Sequence, residues 1–156
     1  MKHEVVRVRR ATPLDQPAIR AMVQGERLNP TDLRWSNFMV AVTEGGIVGA
    51  VQMRKHTDGS RELGSLVVAS ELRGQGIAKR LIDALLAAEP GPVWMITWDG
   101  FAHACARWGF RPIDPRSAPV KVRRNWRLGS LARIVSLIMR RPMRRLVILE
   151  RLPASW

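Results

Sequence analysis

The sequence predicts a mixed α/β fold on three observations. Segments with the two-residue alternation of strands are interleaved with segments of helical periodicity. A strand near the middle of the chain runs into two glycines spaced two apart and then into a helix, in "SLVVASELRGQGIAKRLIDALL". Further on, "VWMITW" is a continuous apolar run of the length of a strand covered on both faces.

The elements follow in order. "VVRVRRAT" alternates apolar and basic residues through Val6, Val8 and Ala11, as an edge or half-buried strand does. Thr12, Pro13 and Asp15 then form a helix start: a capping hydroxyl, proline at the first helical position and an acid in the first turn. The helix presents Leu14, Ala18, Ile19, Met22 and Val23 on one side and ends near Gly25. "LNPTDLRW" reads as a short second helix or a loop. Strands are expected over 38–42 and 47–54, joined by a tight turn at 44–46. "HTDGS" is the next turn and "RELGSLVV" the next strand.

The helix after the glycines runs to about Ala88 and is stopped by "EPGP". "DGFAHACARWGF" is a short helix ended by Gly109, and "RPIDPRSAP" is loop-like with its three prolines. "PVKVRRNW" is expected as a strand. "SLARIVSLIMRR" is expected as an amphipathic helix capped by Ser130, with Leu131, Ile134, Val135 and Ile138 on one face. "RRLVILERL" closes the chain as a strand. No repeat or linker divides the sequence, so residues 1–156 are expected to form one domain.

The composition, 46% hydrophobic and 25% charged, is that of an ordinary globular chain. A single cysteine forms no internal disulfide, which favours a reducing, cytoplasmic setting. The start, "MKHEVVRVRRATP", lacks the apolar run of a signal peptide, and no stretch approaches the roughly 18 apolar residues of a membrane span. The net charge of +13 is unevenly placed. Residues 1–118 carry 16 basic and 12 acidic side chains, whereas 119–156 carry 10 basic residues and only Glu150. A block of that kind favours anionic partners or forms a solvated face.

The two glycines fit neither common nucleotide motif. A dinucleotide fingerprint needs a third glycine where Lys79 stands, and a triphosphate loop needs Gly-Lys-Ser/Thr. What is present is Arg73-Gly74-Gln75-Gly76-Ile77-Ala78, an Arg-x-x-Gly-x-Ala pattern between a strand and an amphipathic helix. Free backbone N–H groups at such a helix start point outward and bind anions, and glycines let a pyrophosphate come close.

With "CARWGF" and Arg111 further on, this stretch resembles the GNAT superfamily of acyl-CoA-dependent N-acyltransferases over about 110 residues. The resemblance implies a central, mostly antiparallel sheet that is flanked by helices and splayed between its fourth and fifth strands. It also implies acetyl-CoA as cosubstrate, with no metal. The cofactor's pantetheine arm would pair with the backbone of Leu66, Val67 and Val68. Its pyrophosphate would rest on the amides of Gln75, Gly76, Ile77 and Ala78, with Gly74 in the turn and Arg73 and Lys79 adding charge.

Acetyl transfer to an amine needs a base for the amine and a proton for the departing thiolate. Glu62 lies six residues before Val68, an even spacing that puts both on one face of a regular strand. One branch of the superfamily uses a glutamate at this spacing as general base. The alternative is a strand-edge glutamate beside Arg61. The family's usual acid is a tyrosine at the position of Cys105, and the chain has no tyrosine. Cys105 is therefore the candidate acid or, alternatively, a small packing residue. Asp99 and His103 are candidates for action through water. Glu26, Asn29, Asp32, Trp35, His56 and Trp98 are candidates for the amine pocket.

The basic segment 119–156 is expected as a helix-containing extension that closes the sheet. Its expected partners are a second copy of the chain, anionic lipid, or nucleic acid or an acidic protein, although no recognised nucleic-acid motif is present. The expected function is N-acetyltransfer to a primary amine of a small molecule, peptide or protein. The alternative is a module that binds CoA or an anionic surface without turnover.

Overall fold

The computed structural model describes residues 4–26, 28–138 and 144–153, with only the backbone for 135–138. The chain divides into two compact units, Met1–Arg54 with Gly64–Pro90, and Lys55–Leu63 with Gly91–Trp156.

The first unit contains β1 (Arg7–Arg10), α1 (Gln16–Gly25), β2 (Phe38–Thr43), β3 (Gly46–Lys55, through Arg54), most of β4 (Arg61–Val68) and α2 (Ile77–Ala87). Its strands follow the order β1-β2-β3-β4. The ladders of β1 on β2 and β2 on β3 are antiparallel, with a bulge at Ala41/Val42. The helix start foreseen at Thr12 is present as a single tight turn ahead of α1. Asp15 accepts from the Thr12 amide at 2.7 Å and from Arg9 Nη1, also at 2.7 Å. "LNPTDLRW" resolves to loop, followed by a short turn over Trp35–Asn37.

Ile19 and Val23 of α1 lock into a core with Phe38, Val40, Ala50 and Val67, all buried. The helix α2 packs over β1 and β2 and buries Ile77, Leu81, Ile82, Leu85 and Leu86. Gly49 makes this close approach practicable, because a Cβ there would stand 3.1 Å from Leu81 Cδ1 and 3.3 Å from Ile77 Cγ2.

The second unit holds the start of β4, β5 (Val93–Trp98), α3 (Asp99–Cys105), β6 (Arg111–Ile113), α4 (Val120–Ile138) and β7 (Leu146–Arg151). Its strand order is β4-β5-β7-β6. β5 runs parallel to β4, pairing Glu62 with Trp94 and Leu63 with Met95, and antiparallel to β7. The last strand thus lies between β5 and β6, and the three-residue β6 forms the edge.

Several expectations are corrected here. β5 alternates, with Val93 and Met95 buried and Trp94 and Ile96 half-buried beneath Ala118 and Val122, so its two faces are covered unequally. "RPIDPRSAP" contains β6, and "PVKVRRNW" is not a strand but the first turns of α4. The alternation of Val120 and Val122 concealed a helical pair. Val122 and Trp126, four apart, face the body, where Val122 is fully buried and the Trp126 indole donates to the Leu146 carbonyl at 3.0 Å. Pro119 opens the helix, its carbonyl accepting from the Arg123 amide, so Ser130 is interior rather than a cap.

The expected apolar face of α4 is not its buried face: Leu131 and Ile134 are more than half exposed. The side chains of Val135 and Ile138 lie outside the described residues.

Candidate functional site

In the first unit, β4 ends at Val68 and a short turn over Ser70–Leu72 leads to the glycine loop. Gly74 and Gly76 take φ of 81° and 79°, the left-handed region that costs other residues about 1–2 kcal/mol. Nothing lies within 4 Å of the point where a Cβ would stand on either residue, so the space over the loop is open. Gly76 is the N-cap of α2 and its carbonyl takes the first helical bond, from the Arg80 amide. The amides at the start of α2 are left without intrahelical acceptors, at the positive end of an eleven-residue helix. This loop has the donor set and the open face that a pyrophosphate requires.

The two cations of the loop are already engaged. Arg73 donates through Nε to the Val68 carbonyl at 3.1 Å and through Nη2 to Glu26 Oε1 at 2.7 Å. Lys79 pairs with Asp83 one turn along the helix at 2.6 Å. Arg73 thus fastens the loop to the end of β4, while Leu66, Val67 and Val68 bring the strand to it. Val67 and Val68 are buried and Leu66 is half-buried.

β4 itself is irregular. Ser65 has φ of 54°, so the two-residue repeat is interrupted there and spacing alone no longer assigns Glu62 and Val68 to one face. The Ser65 hydroxyl receives Gln52 Nε2 at 2.8 Å and Arg54 Nη2 at 3.0 Å, forming a buried polar layer on β3 and β4 that the sequence did not reveal.

In the second unit, Glu62 is 3% exposed rather than a solvated edge residue. Its Oε2 lies 2.7 Å from His56 Nε2 and accepts from Asn125 Nδ2 at 3.0 Å. His56 begins the turn between β3 and β4, closed by bonds between His56 and Ser60 and between Gly59 and His56. Asp58 in the same turn accepts from the amide and hydroxyl of Ser60 and, through Oδ2, from the Lys121 amide at 3.1 Å.

Asp58 is therefore an acid at the N-terminus of α4, where the helix has free N–H groups to give. Burial pushes the Asp58 carboxyl up. The Ser60 hydroxyl and amide, the Lys121 amide and the nearby His56 outweigh burial and hold it below its ordinary value. The basic helix is fastened twice, to this turn by Asp58 at its first turn and to β4 by Glu62 through Asn125 one turn later. Asn125 had no sequence signal, because its importance depends on a residue 63 positions away.

Cys105 is fully buried on α3, its thiol 3.7 Å from Met95 Sδ. Burial pushes that thiol from 9.0 up to about 11, which keeps its proton in place at neutral pH. His103 and Asp99 are exposed on the same helix.

Among the other candidates, Asn29 bonds to Thr31, Asp32 pairs with Arg34, and the Trp35 amide donates to Gln16. Trp98 is 38% exposed with the Arg144 guanidinium 4.2 Å over its ring. Among the described residues no group of three or more His, Cys, Asp or Glu is placed to hold a metal, and no helix is long and apolar enough to cross a membrane.

Comparison with known proteins agrees with this architecture. Among solved structures, the chain is similar to N-acetylglutamate synthase from Neisseria gonorrhoeae, complexed with coenzyme A and N-acetyl-glutamate. That match has 19% identity and a TM-score of 0.70, and it covers 97% of this chain but only 36% of the synthase. It is similar to Rv2747 from Mycobacterium tuberculosis, in complex with CoA and NLQ, at 19% identity and a TM-score of 0.67, covering 94% of this chain and 98% of that one. It is also similar to the diaminobutyrate acetyltransferase EctA from Paenibacillus lautus, in complex with L-2,4-diaminobutyric acid and coenzyme A. There the identity is 15% and the TM-score 0.63, with 96% of each chain covered.

No curated protein sequence matches the chain. The model of the acetyltransferase (GNAT) domain matches residues 34–112, just over half of it and the stretch that contains the glycine loop. With that match added to the strand order and the open amide loop, the chain belongs to the GNAT acetyltransferase family.

Proposed function

We propose that the protein is an acetyl-CoA-dependent N-acetyltransferase acting on a primary amine by direct transfer. The observation that carries this reading is the loop at Gly74 and Gly76, with left-handed glycines, amides that have no intrahelical acceptor and open space above them. Gln75 to Ala78 would hold the pyrophosphate of acetyl-CoA, and the backbone of Leu66, Val67 and Val68 would meet its pantetheine arm. Acetyl-CoA supplies the thioester. Glu62 is the carboxylate on which deprotonation of the amine depends. Cys105, buried against Met95, packs α3, and water protonates the leaving sulfur. The neighbours crystallised with CoA, one of them with a diamino acid, support an amine acceptor.

The test is calorimetric titration with acetyl-CoA followed by a thiol-release screen across amino acids, polyamines and peptides. Micromolar binding with CoA formed only when amine is present is the expected result. No binding at millimolar concentration overturns the reading.

A second reading is a GNAT-fold module that docks on an anionic lipid surface without turnover, and one observation favours it. Leu128, Leu131 and Ile134 are more than half exposed on α4, on a helix that also carries Arg124 and Arg127 and has no acid. Co-sedimentation with phosphatidylserine vesicles that weakens when Arg124, Arg127, Arg144 and Arg145 are neutralised supports it. Indifference to those changes removes it.

A further inference from the structure

We infer that the group taking the proton from the amine is the imidazole of His56, and that Glu62 and Asn125 are positioning residues behind it. This inference rests on the acetyltransferase reading and concerns who performs its proton transfer.

The argument begins with burial. Glu62 is 3% exposed, and its Oε2 is already shared by His56 Nε2 at 2.7 Å and Asn125 Nδ2 at 3.0 Å. A carboxylate enclosed in this way is an acceptor for its neighbours, with little surface left to meet a substrate. His56 is enclosed less tightly. Its side chain is 13% exposed, and its only side-chain hydrogen bond among the described residues is the one to Glu62.

Chemistry then assigns the tautomer. An ionised carboxylate has no proton to give, so the 2.7 Å contact is Nε2–H donating to Oε2. The proton on Nε2 leaves the lone pair of Nδ1 as the basic site of the ring. Glu62 fixes the ring's orientation and stabilises the imidazolium that forms when Nδ1 takes a proton. This is the base–orienter logic of histidine-dependent catalysis. Asn125 completes the arrangement by holding the same carboxylate oxygen from α4, and Asp58 anchors the start of that helix through the Lys121 amide. Among the described residues, charged groups near His56 include Glu62 on β4 and Asp58 in its own turn, while Asn125 of α4 brings a neutral amide to Glu62.

The step balances. Nδ1 takes one proton from the substrate ammonium, and the freed nitrogen lone pair forms a C–N bond to the thioester carbonyl carbon. The C–S bond breaks, the sulfur keeps the electron pair and takes a proton from water, and the second amine proton neutralises the hydroxide left behind. The imidazolium returns its proton to solvent, so one proton is released per turnover.

The test compares wild type, His56→Gln, His56→Ala and Glu62→Gln in thiol-release assays. His56→Gln retains an N–H donor for Glu62 but has no basic nitrogen. It is expected to lower kcat about 100-fold, within the range of a general base, with acetyl-CoA affinity unchanged. Added imidazole is expected to restore part of the rate of His56→Ala and none of that of Glu62→Gln. Wild-type turnover that persists within twofold in both His56 variants overturns the inference and leaves the acetyltransferase reading standing.

A turnover-independent readout separates the two ideas. In nitrogen-15 spectra of the imidazole groups, the His56 signal is identified by its loss in His56→Gln. It should show a proton on Nε2 protected from exchange, and Glu62→Ala should abolish that protection. Protection unchanged in Glu62→Ala overturns the dyad. A wild-type protein that binds no acetyl-CoA and acetylates no amine overturns the activity, and the role of His56 with it.

Discussion

The glycine loop and the Glu62 cluster are built in opposite ways. The loop is made of seven consecutive residues whose contribution is backbone: left-handed glycines, open amides and a helix start. The cluster is made of side chains from positions 56, 62 and 125, brought together by a turn and a helix docked on it. A site made of backbone is written locally and can be recognised from spacing. A site made of side chains from distant positions exists only once the second unit has folded around it. The loop therefore disclosed the cofactor class, while the residues around Glu62 were only partly visible in advance.

Substitutions in the two regions should separate cleanly. The largest effect is expected from Glu62→Gln, which removes the buried charge proposed above to support deprotonation. The turnover rate should fall about 100-fold while calorimetry finds acetyl-CoA affinity nearly unchanged. Gly76→Val should do the reverse. Forcing a β-branched residue to φ of 79° costs about 1–2 kcal/mol, so acetyl-CoA should bind about tenfold more weakly. The His56 signal should stay as in wild type. If Gly76→Val binds acetyl-CoA normally, the loop is not the pyrophosphate cradle.

Asn125→Leu is the intermediate case. It removes one donor from a buried carboxylate and should lower the rate about fivefold and stability by about 1–2 kcal/mol. An unaltered rate and melting curve would reduce Asn125 to a bystander.

The smallest effect lies in the first unit, away from both sites. Asp15 is held well below its usual carboxylate range, at about 2, chiefly by the Arg9 guanidinium. Burial opposes this shift, and the Thr12 amide adds to it. A depressed folded value means stability that is complete above pH of about 4 and is lost as pH falls toward 2. Because Arg9 is 42% exposed, solvent screening limits the contribution to about 1 kcal/mol. Urea denaturation of Asp15→Asn at pH 7 should show that loss, and the variant should have a shallower acid dependence between pH 4 and 2 than wild type.

The same contrast explains which elements were legible. α1, β2, β3 and α2 carry their own punctuation in Pro13, the turn at Glu44 and the two loop glycines, so their positions agree with the periodicity. α4 does not. Its first turns read as a strand because valines at 120 and 122 alternate with basic residues. The helix wins because Val122 and Trp126 together find the Ala118 and Ile148 core. The same competition left Leu131 and Ile134 in solvent, although their spacing is that of a buried face. Periodicity identifies a stripe; it does not say that anything will cover it.

Among the candidate site residues, Leu66 to Val68 and Arg73 to Lys79 were readable as a motif. Glu62 was readable as a residue type at a suitable position, but its burial was not. His56 stood in a turn with no hint of its neighbour, and Cys105 gained its meaning only from being fully enclosed. By itself the sequence determined the α/β class, the glycine loop and the charge imbalance, because each depends on local periodicity, local backbone freedom or simple composition. The tertiary structure alone decided that α4 starts at Val120, that Asn125 grips Glu62, and that a turn histidine stands over a buried carboxylate. Those facts depend on which side chains lose water together, and that is settled only by the packed chain.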